Sequence, residues 1–253
     1  MTILRRASVT RYVTPLREGG SLPGLIEASD DGMYVLKFRG AGQGPKALVA
    51  EVVAGELARA LGFPVPELAV IELDEVIARG ESHQEIQDLL RASVGPNLGV
   101  DFLPGALPFT PAVGPLPDPA QSAEIVWLDA LVTNVDRTAR NPNMLIWHGR
   151  HWLIDHGAAL YFHHSAEREA GFERKPFTQI KDHVLLPSAG SITEADARLA
   201  PRITPTLLGE IAAAIPLEWL DGDDARTYVE FLTARLASPR AFAEEAERAR
   251  ERR

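Results

Sequence analysis

Two carboxylates and two amides crowd one short stretch of the chain: Asp136, Asn141, Asn143 and Asp155. Carboxylate and amide oxygens are the ligands that a hard cation such as magnesium takes while keeping several waters. A carboxylate beside an attacking hydroxyl orients it and accepts its proton. Both tasks require the groups to meet at one point, and the residues between them supply the means. A polar loop over 134–143 leads into Met144–Trp147, His148-Gly149-Arg150 reads as a tight turn, and His151–Ile154 returns toward Asp155, with Gly157 just beyond. Antiparallel pairing would deliver the loop and the acid to the same end of one hairpin. That arrangement suits phosphoryl transfer, with Asp136 facing a hydroxyl and Asp155 plus an asparagine holding a cation against phosphates.

The elements around this hairpin follow from the apolar pattern. Ala7–Leu16 reads as a strand. Glu18–Gly24 reads as a glycine-rich turn, able to cover phosphates through its backbone N–H groups. Leu25–Ala28 and Met33–Phe38 flank an Asp-Gly turn and predict a hairpin that carries Lys37 on its second strand. Val49, Val52, Val53, Leu57, Ala60 and Leu61 fall on one helical stripe, closed by Gly62 and Pro64. A strand is expected over 66–73 and a short helix over 83–93. The proline- and glycine-rich stretch 95–120 is expected to be largely irregular and to join two parts of the molecule. Helices are expected over 122–131 and 223–237. A last one should start at Ser238-Pro239 and run into a tail, 244–253, that is charged on nearly all faces. Strands with one helix, then a bridge, then helices predict an α+β protein with a ligand cleft between a sheet-based and a helical lobe.

Composition narrows the function. The 253 residues carry a formal charge of −9, which disfavours direct nucleic-acid binding, and no cysteine, which excludes disulfides and thiolate chemistry. The start of the chain has no apolar core of a signal peptide and no run is long enough to span a bilayer, so a cytoplasmic location is expected. His151, His156, His163 and His164 show no His-Glu-x-x-His pattern, and no zinc site is expected. Trp127, Trp147 and Trp152 sit in apolar runs and read as core. Arg137 reads either as a phosphate ligand or as an ordinary surface residue.

Asp136 followed five residues later by Asn141 resembles the catalytic loop of protein kinases and aminoglycoside phosphotransferases, and Asp155-His156-Gly157 resembles their Asp-x-Gly metal motif. The whole phrase, with Asn134-Val135-Asp136-Arg137, Asn141-Pro142-Asn143 and Ile154-Asp155-His156-Gly157, is most similar to HipA-like kinases and also resembles phosphatidylinositol-kinase-related sequences. Val35-Leu36-Lys37 is similar to the strand with the ATP-pairing lysine, and the likeness runs over roughly residues 10–160. The glycine stretch departs from Gly-x-Gly-x-x-Gly, and Asn134 replaces the histidine of His-Arg-Asp.

The resemblance implies a two-lobed protein-kinase-like fold, with residues 1–105 as the β-rich nucleotide-binding lobe and 106–253 as the mostly helical catalytic lobe. It implies ATP and Mg²⁺. Lys37 would orient the α- and β-phosphates and pair with Glu51, although Glu56 lies nearer the apolar stripe. Asp101 and Leu103 would belong to the adenine-side hinge, Asp136 would act on the acceptor hydroxyl, and Asp155 would hold the metal. Asn141 fits the spacing from Asp136 and Asn143 the spacing to the strand, so both stand as metal ligands. The implied acceptor is a protein serine or threonine, the chain's own included, or else a small molecule. A nucleotide-binding module without turnover is the alternative.

Overall fold

Alternating apolar residues with tight polar turns make the first hundred residues a small closed barrel, as seen in a computed structural model that describes residues 4–16, 22–42, 44–164 and 171–252. In chain order the elements are β1 (Arg5–Pro15), β2 (Gly24–Ala28), β3 (Met33–Lys37), α1 (Pro45–Ala60), β4 (Leu68–Leu73), α2 (Glu75–Arg79), α3 (Gln84–Ala92) and β5 (Gly95–Asp101). The barrel order is β1-β2-β3-β5-β4, closed by parallel pairing of β1 with β4 and otherwise antiparallel. The predicted Asp-Gly hairpin is β2–β3, with Glu27 opposite Met33. Most of the predicted glycine-rich turn, residues 18–21 of 18–24, lies outside the described residues.

Both faces of β4 are covered, which explains its nearly continuous burial. Ala69, Ile71 and Leu73 point into the barrel with Ile26, Tyr34 and Leu36. Leu68 and Val70 point the other way, to α1. That helix is buried on every side from Leu48 to Ala58, not along one stripe as its sequence suggests. It serves as a wall shared by the barrel and the helical core. Each fully buried leucine there contributes about 1.5–3 kcal/mol. Gly62 ends it in the left-handed conformation at φ 93°, with its N–H bonded to the Arg59 carbonyl, as its position predicts.

Beyond the barrel come β6 (Leu107–Pro108), α4 (Pro119–Leu131), β7 (Met144–Trp147), β8 (Arg150–Leu153), α5 (Ile192–Leu199), α6 (Pro205–Ala213), α7 (Arg226–Leu236) and α8 (Ala241–Glu251), with short 3-10 turns between them. The expectation of a largely irregular 95–120 holds for 102–106 and 109–118 and is corrected at the start of the stretch. Its first residues are β5, a central strand paired to β3 and β4, with Pro96 near its start where a missing N–H is tolerated. Its β6 segment is the edge strand of a three-stranded sheet, β6-β7-β8. Asp118 caps α4 through Gln121 N, with Pro119 in the first turn, so α4 begins earlier than its apolar run. The last helix starts at Ala241 rather than at Pro239 and buries Phe242 and Ala243 in its first turn, and its tail buries Ala246 and Ala249, so the tail is not charged on nearly all faces. Among the described residues no helix is long and apolar enough to cross a membrane.

Candidate active site

The two acids are brought together by the β7–β8 hairpin. Its two-residue turn sets His148 at φ 48° and Gly149 at φ 71°, with Trp147 opposite Arg150. Two left-handed residues match the twist of the flanking strands and fix the register. At the open end, the Ile154 N–H donates to the Asn143 carbonyl at 3.1 Å, so the loop and the strand exit lie side by side. The Asn143 amide then reaches both acids, donating to Asp136 Oδ2 at 3.1 Å and to the Asp155 carbonyl at 3.4 Å. Asn141 donates to the same Asp136 oxygen at 2.6 Å. Both amide nitrogens therefore face Asp136, leaving their oxygens as the acceptor ends. Like the Asp155 carboxylate, these are oxygen donors of the kind that a hard divalent cation takes.

Lys37 arrives from the barrel. Its ammonium contacts the Glu51 carboxylate from α1 and donates to Asp155 Oδ1 at 2.7 Å. Burial alone would lower the Lys37 pKa, but the two carboxylates outweigh it and hold the lysine protonated, above its ordinary value. The same ammonium pulls Asp155 down to about 2. Glu51 is fixed a second time by the His156 N–H at 3.0 Å. Gly157 follows directly, and a Cβ there would meet Glu51 Oε1 at 3.2 Å, so the glycine makes room for the ion pair. Glu56, the other candidate partner, instead faces Arg59 at 3.7 Å, and burial raises its pKa.

Lys37 and Asp155 line a cleft of about 660 Å³ with Val35, Val100, Leu145 and Ile154. Asp101, Phe102 and Leu103 form part of its wall where β5 leaves the barrel. The Asp101 N–H donates to the Glu67 carbonyl at 2.8 Å, and burial raises its carboxyl pKa.

Arg137 corrects the expectation most sharply. It is neither a phosphate ligand nor a surface residue. It is 1% exposed, and its Nε donates to Asp129 Oδ2 at 2.6 Å. Asp129 lies inside α4 and also accepts from Asn134 Nδ2 and from His183 Nε2, each at 2.9 Å. Asn134, the departure from His-Arg-Asp, uses its Oδ1 to accept the Asp136 N–H at 3.1 Å, so the substitution still anchors the loop. Sequence reasoning missed Asp129 and His183. A lone acid in the apolar run Ile125–Val132 was a readable signal, whereas nothing in the sequence ties His183 to it. Of the other histidines, His151 bonds the Pro115 carbonyl at 2.7 Å and His156 faces Arg137, and the side chain of His164 lies outside the description. Trp127 is fully buried, and Trp147 and Trp152 are half-buried against one another.

A strand lysine paired to a helix glutamate and to the acid at the end of a hairpin, on the wall of a cleft, marks a protein-kinase-like phosphotransferase. The sequence profile described as HipA-like kinase matches residues 9–240, and the chain belongs to the HipA-like kinase family. Its fold is similar to the crystal structure of the Helicobacter pylori proinflammatory kinase CtkA, with a TM-score of 0.55, 12% identity, and coverage of 96% of this chain and 97% of that one. It is also similar to the Golgi casein kinase with Mn/ADP bound, with a TM-score of 0.50, 11% identity, and coverage of 99% and 73%. No curated protein sequence matches the chain significantly.

Proposed function

We propose that the protein is an ATP- and Mg²⁺-dependent kinase that transfers the γ-phosphoryl group to a serine or threonine hydroxyl of a protein, its own chain included. The observation that carries this reading is the Lys37 ammonium lying between Glu51 and Asp155 at the cleft wall. A lysine kept protonated there offers fixed positive charge to phosphate oxygens. The Asp101–Leu103 wall is assigned to the adenine side. The nucleotide and divalent ion in the similar casein kinase structure agree with this use of the cleft.

Asp155 with Asn141 and Asn143 would hold Mg²⁺, and the oxygen-only donor set fits that ion. When bound, the ion neutralises charge on the phosphates. The chain's own residues do the rest. Lys37 orients the phosphates, and Asp136, held by two amides, orients the acceptor hydroxyl. As the new oxygen–phosphorus bond forms and the bond to the leaving diphosphate breaks, Asp136 takes the hydroxyl proton. Most of the rate gain is positioning and charge stabilisation. Residues 1–105 carry the nucleotide and 106–253 the acceptor chemistry in this reading.

Purified protein incubated with ATP and Mg²⁺ should gain phosphate on serine or threonine, seen by mass spectrometry. Asp136→Ala should cut that rate about 10²–10⁴-fold while nucleotide binding persists. ATP consumption that appears only with an added small-molecule acceptor would move the substrate class. Nucleotide-induced thermal stabilisation without any consumption would make the protein a binding module.

A further inference from the structure

Resting on the assignment of Asp155 and Asn143 to the cation, we infer that Arg137 is a positioning residue that sets the cation site by holding the residues on both sides of Asp155, Ile154 by its carbonyl and His156 by its ring. One buried guanidinium makes every connection. Its Nε is anchored to Asp129 at 2.6 Å. Nη1 donates to the Asn143 carbonyl and, at 3.4 Å, to the Ile154 carbonyl, with the Pro142 carbonyl at 3.5 Å. Nη2 faces His156 Nδ1 at 3.3 Å. Ile154 and His156 are the neighbours of Asp155, and Arg137 itself is the neighbour of Asp136. Asp155 sits at φ 56° and Asn143 at φ 49°, a backbone region that side-chain-bearing residues adopt only when their surroundings hold them there. Arg137 meets Asn143 at its own carbonyl and reaches Asp155 through the residues before and after it. A fork with donors in three directions is required, and a lysine ammonium on a flexible stem cannot replace it.

Lys37 and Glu51 make no direct hydrogen bond to this fork and are held to one another by their own ion pair, so its loss should fall chiefly on use of the cation. The test compares wild type with Arg137→Lys, measuring phosphoryl transfer against Mg²⁺ concentration and ATP binding in EDTA. The expected result is a half-activating Mg²⁺ concentration raised about 10–100-fold, as for loss of a group that orients metal ligands, with transfer recovering at high Mg²⁺ and ATP binding in EDTA unchanged. An unchanged Mg²⁺ curve, or a lower plateau at the same half-point, overturns the inference. Should Arg137→Lys not fold, Asp129→Asn, which weakens the anchor together with the Asn134 and His183 bonds to the same carboxylate, is read by the same shift in the Mg²⁺ half-point. Failure of both to fold assigns the network to stability alone and also overturns it. If wild type transfers no phosphate at any Mg²⁺ concentration, the kinase reading itself fails and this inference with it; an active wild type with an indifferent variant sinks the inference alone.

Discussion

His183 shows how a buried side chain fixes its own protonation state. Its Nδ1 accepts the Leu185 N–H at 3.0 Å, so Nε2 carries the proton donated to Asp129. Protonation would break the first bond inside the core. Burial lowers its pKa from the ordinary 6.5, despite the pull of Asp129. Burial, with the Arg137 charge, pushes His156 down to about 3. The unfolded chain therefore binds protons below about pH 6.5 that the folded chain refuses, and stability falls as pH drops through that window. Asp155, depressed to about 2, adds loss at still lower pH. Thermal unfolding of wild type should show a melting temperature that declines from pH 7 toward pH 4. His183→Gln should give a shallower decline, and an identical slope in the variant would refute the assignment.

At the scale of elements, the β7–β8 hairpin decides whether the acids meet. A one-residue slip would turn Met144 and Leu153 out of the core and carry Asn143 away from Ile154. Gly149 is the sensitive point. At φ 71° it has no heavy atom within 4 Å of an added Cβ, so a side chain there meets open space and pays only in backbone conformation. Gly149→Val should destabilise the protein by about 1–2 kcal/mol, measured by denaturant unfolding. Transfer activity should fall further than the unfolded fraction accounts for.

At the scale of the molecule, the barrel and the helices are joined through buried polar contacts as well as apolar ones. Trp219, in the turn Leu217–Trp219, is fully buried and donates its Nε1–H to the Pro96 carbonyl of β5 at 2.9 Å. Pro96 supplies no N–H to the sheet, but its carbonyl serves as a distant anchor. Trp219→Phe puts a smaller ring in the buried site and takes this hydrogen bond from the Pro96 carbonyl. A loss of about 1–3 kcal/mol is expected, read as a lower denaturant midpoint. An unchanged midpoint would mean that the joint is carried by packing alone. Arg235 plays a similar part at the end of α4, donating to the Leu131 carbonyl at 2.7 Å and to the Ala130 carbonyl at 2.8 Å while stacking near Phe231 and Phe242. Burial lowers its pKa to about 10, so it stays charged at neutral pH.

Local chemistry carried much of this in the chain itself. The Asp-Gly and His-Gly turns, the Gly62 stop and the spacing from Asp136 to Asp155 are short-range signals, and they were enough to write down the β2–β3 and β7–β8 hairpins and the residues at their ends. Burial and long-range partners are set by other parts of the chain, and there sequence reading failed. Periodicity gave α1 one apolar face, but it is covered all round because the barrel and the helical core both press on it. Proline content hid β5, whose strand character comes from two neighbours distant in sequence. Arg137 looked like a surface or phosphate residue because Asp129, His156 and the carbonyls it holds come together only when its loop folds between α4 and the base of the hairpin. Helical spacing pointed toward Glu56, the family resemblance chose Glu51, and the contact with Lys37 agrees with Glu51.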